Sequence, residues 1–223
     1  MKKGKYLRER RLKTTCSMMK KNCFEQYRKE CEKCNEGKAV VIPANDPKNG
    51  EPGDGIDLMF VNERPGPTAL KTGFISPENP DESARRFTRL FGKVFGMDYR
   101  KKIFITNAVL WCPKVENYTN QTPTSLEVEC GVGVLLDQIN KIKPKVIVAM
   151  GRHALNALRF CFPESSAINL ARKKKLKDIV GTLIVANPHR ITLLFHTSPL
   201  NVRNRAEKDQ LKDWENLKRI IEL

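Results

Sequence analysis

The sequence predicts an α/β fold: a single-domain three-layer sandwich with a central, mostly parallel sheet of four to five strands flanked by helices. Three observations predict it. Short apolar runs rich in β-branched and aromatic residues stand at 56–61 (IDLMFV), 103–109 (IFITNAV) and 145–150 (KVIVAM), the signature of buried strands. Segments with helical spacing fall between them, and strands that alternate with helices pair in parallel through crossovers. The chain has 223 residues, 40% of them hydrophobic, which is enough for one well-filled core.

The elements follow in order. Residues 1–34 form a basic lead. Within it, 1–30 carry eleven Lys and Arg against three acidic residues and are expected as a basic helical arm ahead of a domain over 31–223. Residues 43–55 (PANDPKNGEPGDG) are rich in Pro, Gly, Asn and Asp and form a loop. The strand at 56–61 runs into a tight loop over 62–73. A helix is expected over 81–97, the second strand over 103–109, then a loop holding Pro113 and Pro123. Over 124–142 a helix starts with a capping box, Thr124 as N-cap and Glu127 three residues on. The strand at 145–150 ends at Gly151 before another helix. Residues 172–177 (RKKKLK) are expected as a basic loop, and 182–186 and 191–195 as two more short strands. The last helix, 206–222, places Leu211, Trp214, Leu217 and Ile221 on a core-facing stripe. No internal repeat is visible. Ligands of such sheets bind beyond the carboxyl ends of the strands.

Charge and cysteines narrow the function classes. Forty-one Lys and Arg against 25 Asp and Glu give +16, a field that attracts polyanions. No apolar run reaches the roughly 18 residues of a membrane span, and no apolar stretch follows the basic N-terminus as in a secretory signal. A cytoplasmic, prokaryotic-type intracellular protein is expected, monomeric and without membrane contact. Seven cysteines, an odd count without a secretion signal, favour metal or cluster ligation over disulfides. Cys31 and Cys34 form a CxxC pair, and Cys112 and Cys130 have seventeen residues between them. Four such thiolates from two segments hold either [4Fe–4S] or zinc. Cys16 and Cys23 are further candidates, and Cys161 reads as a small core residue.

Three strand-end motifs carry chemistry. The first is 61–67 (VNERPGP), a rigid turn that lets backbone amides approach a ligand; its bland reading is an ordinary β–α turn. The second is Asn107, in 105–107 (ITN) toward the end of the strand expected over 103–109. Its amide offers a donor and an acceptor and reads a base edge, though a lone Asn more often caps backbone. The third is 195–201 (FHTSPLN), where His196 is followed by a basic loop with Arg203 and Arg205.

Taken together, these segments resemble the uracil-DNA glycosylase superfamily, closest to its iron–sulfur, family 4 branch. Residues 62–66 (NERPG) stand in place of the branch's GEAPG motif. Residues 72–76 (TGFIS) resemble the segment whose Phe stacks on the flipped base. Residues 105–112 (ITNAVLWC), 120–124 (NQTPT) and Cys130 resemble the Asn-bearing strand and the two downstream cluster cysteines. Residues 144–151 (PKVIVAMG) match the core strand, and 196–200 (HTSPL) resemble the second, HPSPL-type motif. The likeness runs from about Cys31 to Arg205.

The resemblance implies a glycosylase that flips uracil, or a related deaminated base, out of DNA and hydrolyses its N-glycosidic bond in base-excision repair. It implies DNA containing uracil or another damaged base as the partner. It assigns catalysis to His196, Asn107 and Glu63, stacking to Phe74, and the remaining base pocket to Arg64, Pro65 and Gly66. Leu200 becomes the wedge that fills the gap left by the base. Ser198, Arg203, Arg205, Arg172, Lys173, Lys174 and Lys175 become the DNA-holding surface. Cys31, Cys34, Cys112 and Cys130 become ligands of a structural [4Fe–4S] cluster.

Three positions depart from the pattern: Asn62 replaces Gly, Thr197 replaces Pro, and Arg64 stands where related families carry Asp, Asn or Ala. A guanidinium cannot act as a base at neutral pH, so Glu63 orients the water instead, or the activity is weakened or redirected. The alternative is a catalytically silent iron–sulfur DNA-binding relative. An iron–sulfur electron carrier leaves Phe74, Asn107 and His196 unexplained, and a nucleotide-binding protein lacks a GxxxxGK[ST] loop.

Overall fold

Asp57 opens the central sheet. Its carboxylate accepts a hydrogen bond from the Tyr99 hydroxyl at 2.6 Å and pairs with Lys145 at 2.9 Å, so one side chain ties together the starts of three strands. The computed structural model describes residues 39–41, 55–73, 75, 77, 79–113 and 122–223, with 39–41, 112, 113 and 202 described by backbone alone. The basic segment 1–30 lies outside the described residues.

The chain order is β1 (Ala39–Val41), β2 (Leu58–Asn62), α1 (Pro67–Thr72), α2 (Glu82–Phe95), β3 (Ile103–Asn107), β4 (Trp111–Pro113), α3 (Ser125–Ile142), β5 (Val146–Met150), α4 (Arg152–Cys161), α5 (Ser166–Lys173), α6 (Leu176–Ile179), β6 (Ile184–Ala186), β7 (His189–Leu194) and α7 (Glu207–Glu222). Short 3-10 turns cover Met97–Lys102 and Pro199–Val202. Five strands form the main sheet in the order β3-β2-β5-β7-β6. The first four are mutually parallel. Among the described strands of this sheet only β6 runs antiparallel, as a hairpin with β7. The mostly parallel sheet expected from the sequence is therefore present.

Both faces of the sheet are covered. Phe60 of β2 stacks on Trp214 of α7 and meets Phe87 of α2 edge-on. Its neighbours Met59 and Val61 point to the other face by strand alternation, and both are fully buried. Helix α4 packs on β5 and β2, and α3 and α5 pack on α4. Helices on either side of one sheet make the three layers.

Several local expectations need correction. Residues 172–177 are a loop only at Lys174 and Lys175. Arg172 and Lys173 finish α5, whose end is capped by Arg152 donating to the carbonyls of Ala171, Arg172 and Lys174, and Leu176 and Lys177 begin α6. The stripe of α7 runs through Trp214, Leu217 and Ile220, with Leu211 and Ile221 half-buried beside it. The short strand β4 was not foreseen. It pairs antiparallel with β1, Val40 opposite Cys112, in a second, two-stranded sheet.

Candidate active site

Parallel strands that end together leave their following loops side by side. Here β2 ends at Asn62 and β3 at Asn107, and these two residues are register partners. The loops lock to each other through backbone: Ala108 N–H donates to Asn62 O at 2.8 Å, and Val109 N–H to Glu63 O at 3.1 Å. Helix α3 comes in from above. A Cβ on Gly131 would stand 2.4 Å from the Ala108 carbonyl oxygen, so only glycine lets the helix approach this closely.

On the other side, β7 delivers His196 just past its end. Gly151, with φ of 92°, donates its N–H to Leu194 O at 2.8 Å. A Cβ on Gly151 would lie 3.7 Å from the His196 Cβ. The two strand ends therefore hold the imidazole close to the mouth of the sheet. Helix α2 starts at the same rim, with Asp81 as its N-cap accepting from Ala84 N–H at 2.9 Å.

These pieces enclose a cavity of about 250 Å³ lined by Asn62, Arg64, Pro65, Gly66, Ile75, Pro77, Asn79, Asp81, Phe87, Ile105, Asn107, His196 and Thr197, among others. Asn107 is buried, and its Nδ2 finds no hydrogen-bond partner among the described residues. A buried amide left unpaired in the free protein has its donor available for a ligand. Ser198 N–H donates to His196 Nδ1 at 3.0 Å. That bond makes Nδ1 an acceptor and places the proton of a neutral ring on Nε2. Burial, partly opposed by the negative charge of Asp81, holds the His196 pKa below its ordinary value, so the neutral donor form is favoured.

Arg64 lines the cavity but is engaged elsewhere. Its buried guanidinium donates to Glu127 Oε1 at 2.5 Å. The other oxygen of Glu127 accepts from Thr124 N–H at 2.8 Å, while Thr124 Oγ1 accepts from Glu127 N–H at 3.2 Å. This is the expected capping box, now with a third member. Burial pushes the Glu127 pKa up, but the Thr124 amide and Arg64 outweigh it and leave the group lowered overall.

The structure brings Asn107, His196, Arg64, Pro65 and Gly66 into one cavity. It places Glu63 in a neighbouring cleft with Ser125, His153, Asn156 and Phe160. Phe74 lies outside the described residues, as do Cys31 and Cys34. Leu200 is 78% exposed on the 3-10 turn Pro199–Val202, which follows the cavity residues His196 and Thr197 in the chain. Ser198 is half-buried, and Arg203, Lys173, Lys174 and Lys175 are exposed. Arg172 donates to Asn156 at 2.9 Å. Arg205 is bound on two nitrogens by Asp213 and so braces the 196–205 loop against α7. Cys130 sits on α3 next to Gly131, and Cys112 on β4. Among the described residues no three His, Cys, Asp or Glu side chains gather as a metal site. Sequence reasoning missed Asn79, Asp81 and the partnership of Glu127 with Arg64.

Comparison with known proteins decides the family. Residues 47–218 match the model of the uracil DNA glycosylase superfamily. The chain belongs to this superfamily. Three curated relatives are each named type-4 uracil-DNA glycosylase. The protein of Saccharolobus solfataricus is 30% identical over 141 residues, 58% of this chain and 55% of the relative. That of Sulfurisphaera tokodaii is 32% identical over 48% of this chain and 46% of the relative. That of Pyrobaculum aerophilum is 31% identical over 69% and 68%. The chain thus spans about half the length of the first two.

Proposed function

We propose that the protein is a DNA glycosylase that flips uracil, or a related deaminated base, into this cavity and hydrolyses its N-glycosidic bond in DNA repair. The observation that carries the reading is the pairing, in one base-sized cavity, of a buried Asn107 donor without a partner among the described residues and a His196 locked as an Nε2–H donor. Asn107 donates to a uracil carbonyl and accepts from the adjacent ring N–H; cytosine presents the opposite pattern. As the bond to the sugar breaks, its electron pair moves onto the base. His196 Nε2–H stabilises that charge on the pyrimidine oxygen, an interaction that is strongest in the transition state. Exposed Arg203 and Lys173–175 hold phosphates, and Leu200 fills the vacated stack.

The same reading includes a [4Fe–4S] cluster on Cys31, Cys34, Cys112 and Cys130. One backbone feature supports it. Val40 pairs with Cys112, and Cys34 precedes Val40 by only six residues, a span of at most about 20 Å. Cys130 adjoins Gly131, which packs on the loop leading to β4. The cluster would tie the N-terminal segment to this loop, and the hydrolysis needs no electron from it.

The test is a panel of oligonucleotides, each holding one uracil, hypoxanthine, xanthine or oxidised pyrimidine, scored for alkali-labile breaks. Breaks at uracil are expected. Binding without any break would identify a silent relative.

A further inference from the structure

Hydrolysis of a glycosidic bond develops positive charge on the sugar, and a carboxylate nearby stabilises that charge and orients the water. The motif position that carries Asp in some related families holds Arg64, whose guanidinium is bound by Glu127. The carboxylates of the site can be sorted by position. Glu63 lines the neighbouring cleft. Glu127 is occupied by Arg64 and by the helix cap. Among the described residues only Asp81 and Glu82 line the cavity, and Glu82 is turned to Arg85, from which it accepts two hydrogen bonds. Asp81 uses Oδ1 to cap α2. Its Oδ2 accepts no hydrogen bond among the described residues.

We infer that Asp81, at the N-cap of α2, is the carboxylate that orients the attacking water and faces the developing sugar cation. This rests on the glycosylase reading above. Asp81 lines the same cavity as His196 and Asn107, and its charge is felt at the His196 ring. The anion and the imidazole therefore flank one space. In the reaction, the bond from the base to C1′ breaks with its pair leaving on the base, beside His196. The water oxygen bonds to C1′. One water proton passes to Asp81 and on to solvent, and the departing base takes a proton from solvent.

The test is Asp81→Asn in the 223-residue chain. Asn caps a helix as well as Asp, so melting temperature and affinity for uracil-free DNA should stay at wild-type values. Two readouts then separate chemistry from capping. Single-turnover uracil release should fall about 100-fold. Wild-type protein should also bind DNA carrying a cationic pyrrolidine abasic analogue more tightly than DNA carrying neutral tetrahydrofuran, and D81N should lose that preference. Uracil release at the wild-type rate with the preference intact would overturn the assignment and leave Asp81 a helix cap. Should wild type release no base at all, the glycosylase reading fails. The analogue pair then decides only whether Asp81 faces the sugar position: a preference lost in D81N supports that placement, and no preference in wild type overturns it.

Discussion

Arg64 and Glu127 meet across 63 positions of sequence, and their ion pair closes over the capping box of α3. The cation that departs from the family pattern is therefore neutralised, and it anchors a helix to the cavity wall. Removing one partner of a buried pair costs more than removing both, because the survivor stays charged without compensation. Glu127→Ala should destabilise the protein by about 3 kcal/mol in urea unfolding. Replacing both, Arg64→Met with Glu127→Gln, should recover much of that loss, since Gln still serves the capping box. A single mutant as stable as wild type would mean that the pair does not form.

The tautomer of His196 gives a pH prediction. A neutral Nε2–H donor is the competent form, and burial lowers the pKa from its ordinary value near 6.5. Single-turnover rates should stay level from pH 8 down through 6.5 and drop only below that. The unfolded chain binds this proton first, so the contribution to stability is complete above pH 6.5 and declines as the pH falls below it. A rate that climbs as pH falls from 8 to 6 would assign the chemistry to the imidazolium.

Gly131 offers a purely steric check. An added methyl would collide with the Ala108 carbonyl, next to Asn107. Gly131→Ala should cost about 1–3 kcal/mol of stability and also slow base release, because the Asn107 strand end moves. At Gly133, on the same helix, a methyl group would enter open space, with nothing within 4 Å of it. Gly133→Ala should therefore be neutral or slightly stabilising by helix propensity. Thermal melts of the two variants make the comparison.

Anaerobically purified protein should be brown and carry about four irons per chain. Cys112→Ser or Cys130→Ser should lose colour and thermal stability together. Stoichiometric zinc without iron, measured by elemental analysis, would contradict the cluster.

Much of this was legible in the sequence, and the reasons are local. The strands at 58–62, 103–107 and 146–150 are apolar runs bounded by turn residues, and the α3 capping box is written within four residues. The cavity residues Asn107 and His196 stand at or just past strand ends, where loops of such sheets converge. What failed to show was set by distant partners. Arg64 finds Glu127 through the approach of α3, and Asp81 is an ordinary N-cap until folding sets it in the same cavity as His196. The antiparallel direction of β6 leaves no mark in composition, and residues 172–177 look like a loop until Arg152 caps them.

The central claim is that Asn107 reads the base and His196 carries the charge of the leaving group. The most direct test is single-turnover release from a uracil-containing oligonucleotide by wild type, Asn107→Asp, Asn107→Ala and His196→Ala, with DNA affinity measured on the same preparations. Wild type should release uracil. Asn107→Asp should be impaired because a carboxylate cannot donate to the carbonyl, and His196→Ala should slow release by about 100-fold or more while DNA affinity changes little. Release at the wild-type rate by both Asn107→Ala and His196→Ala would contradict the account and place the chemistry in another pocket.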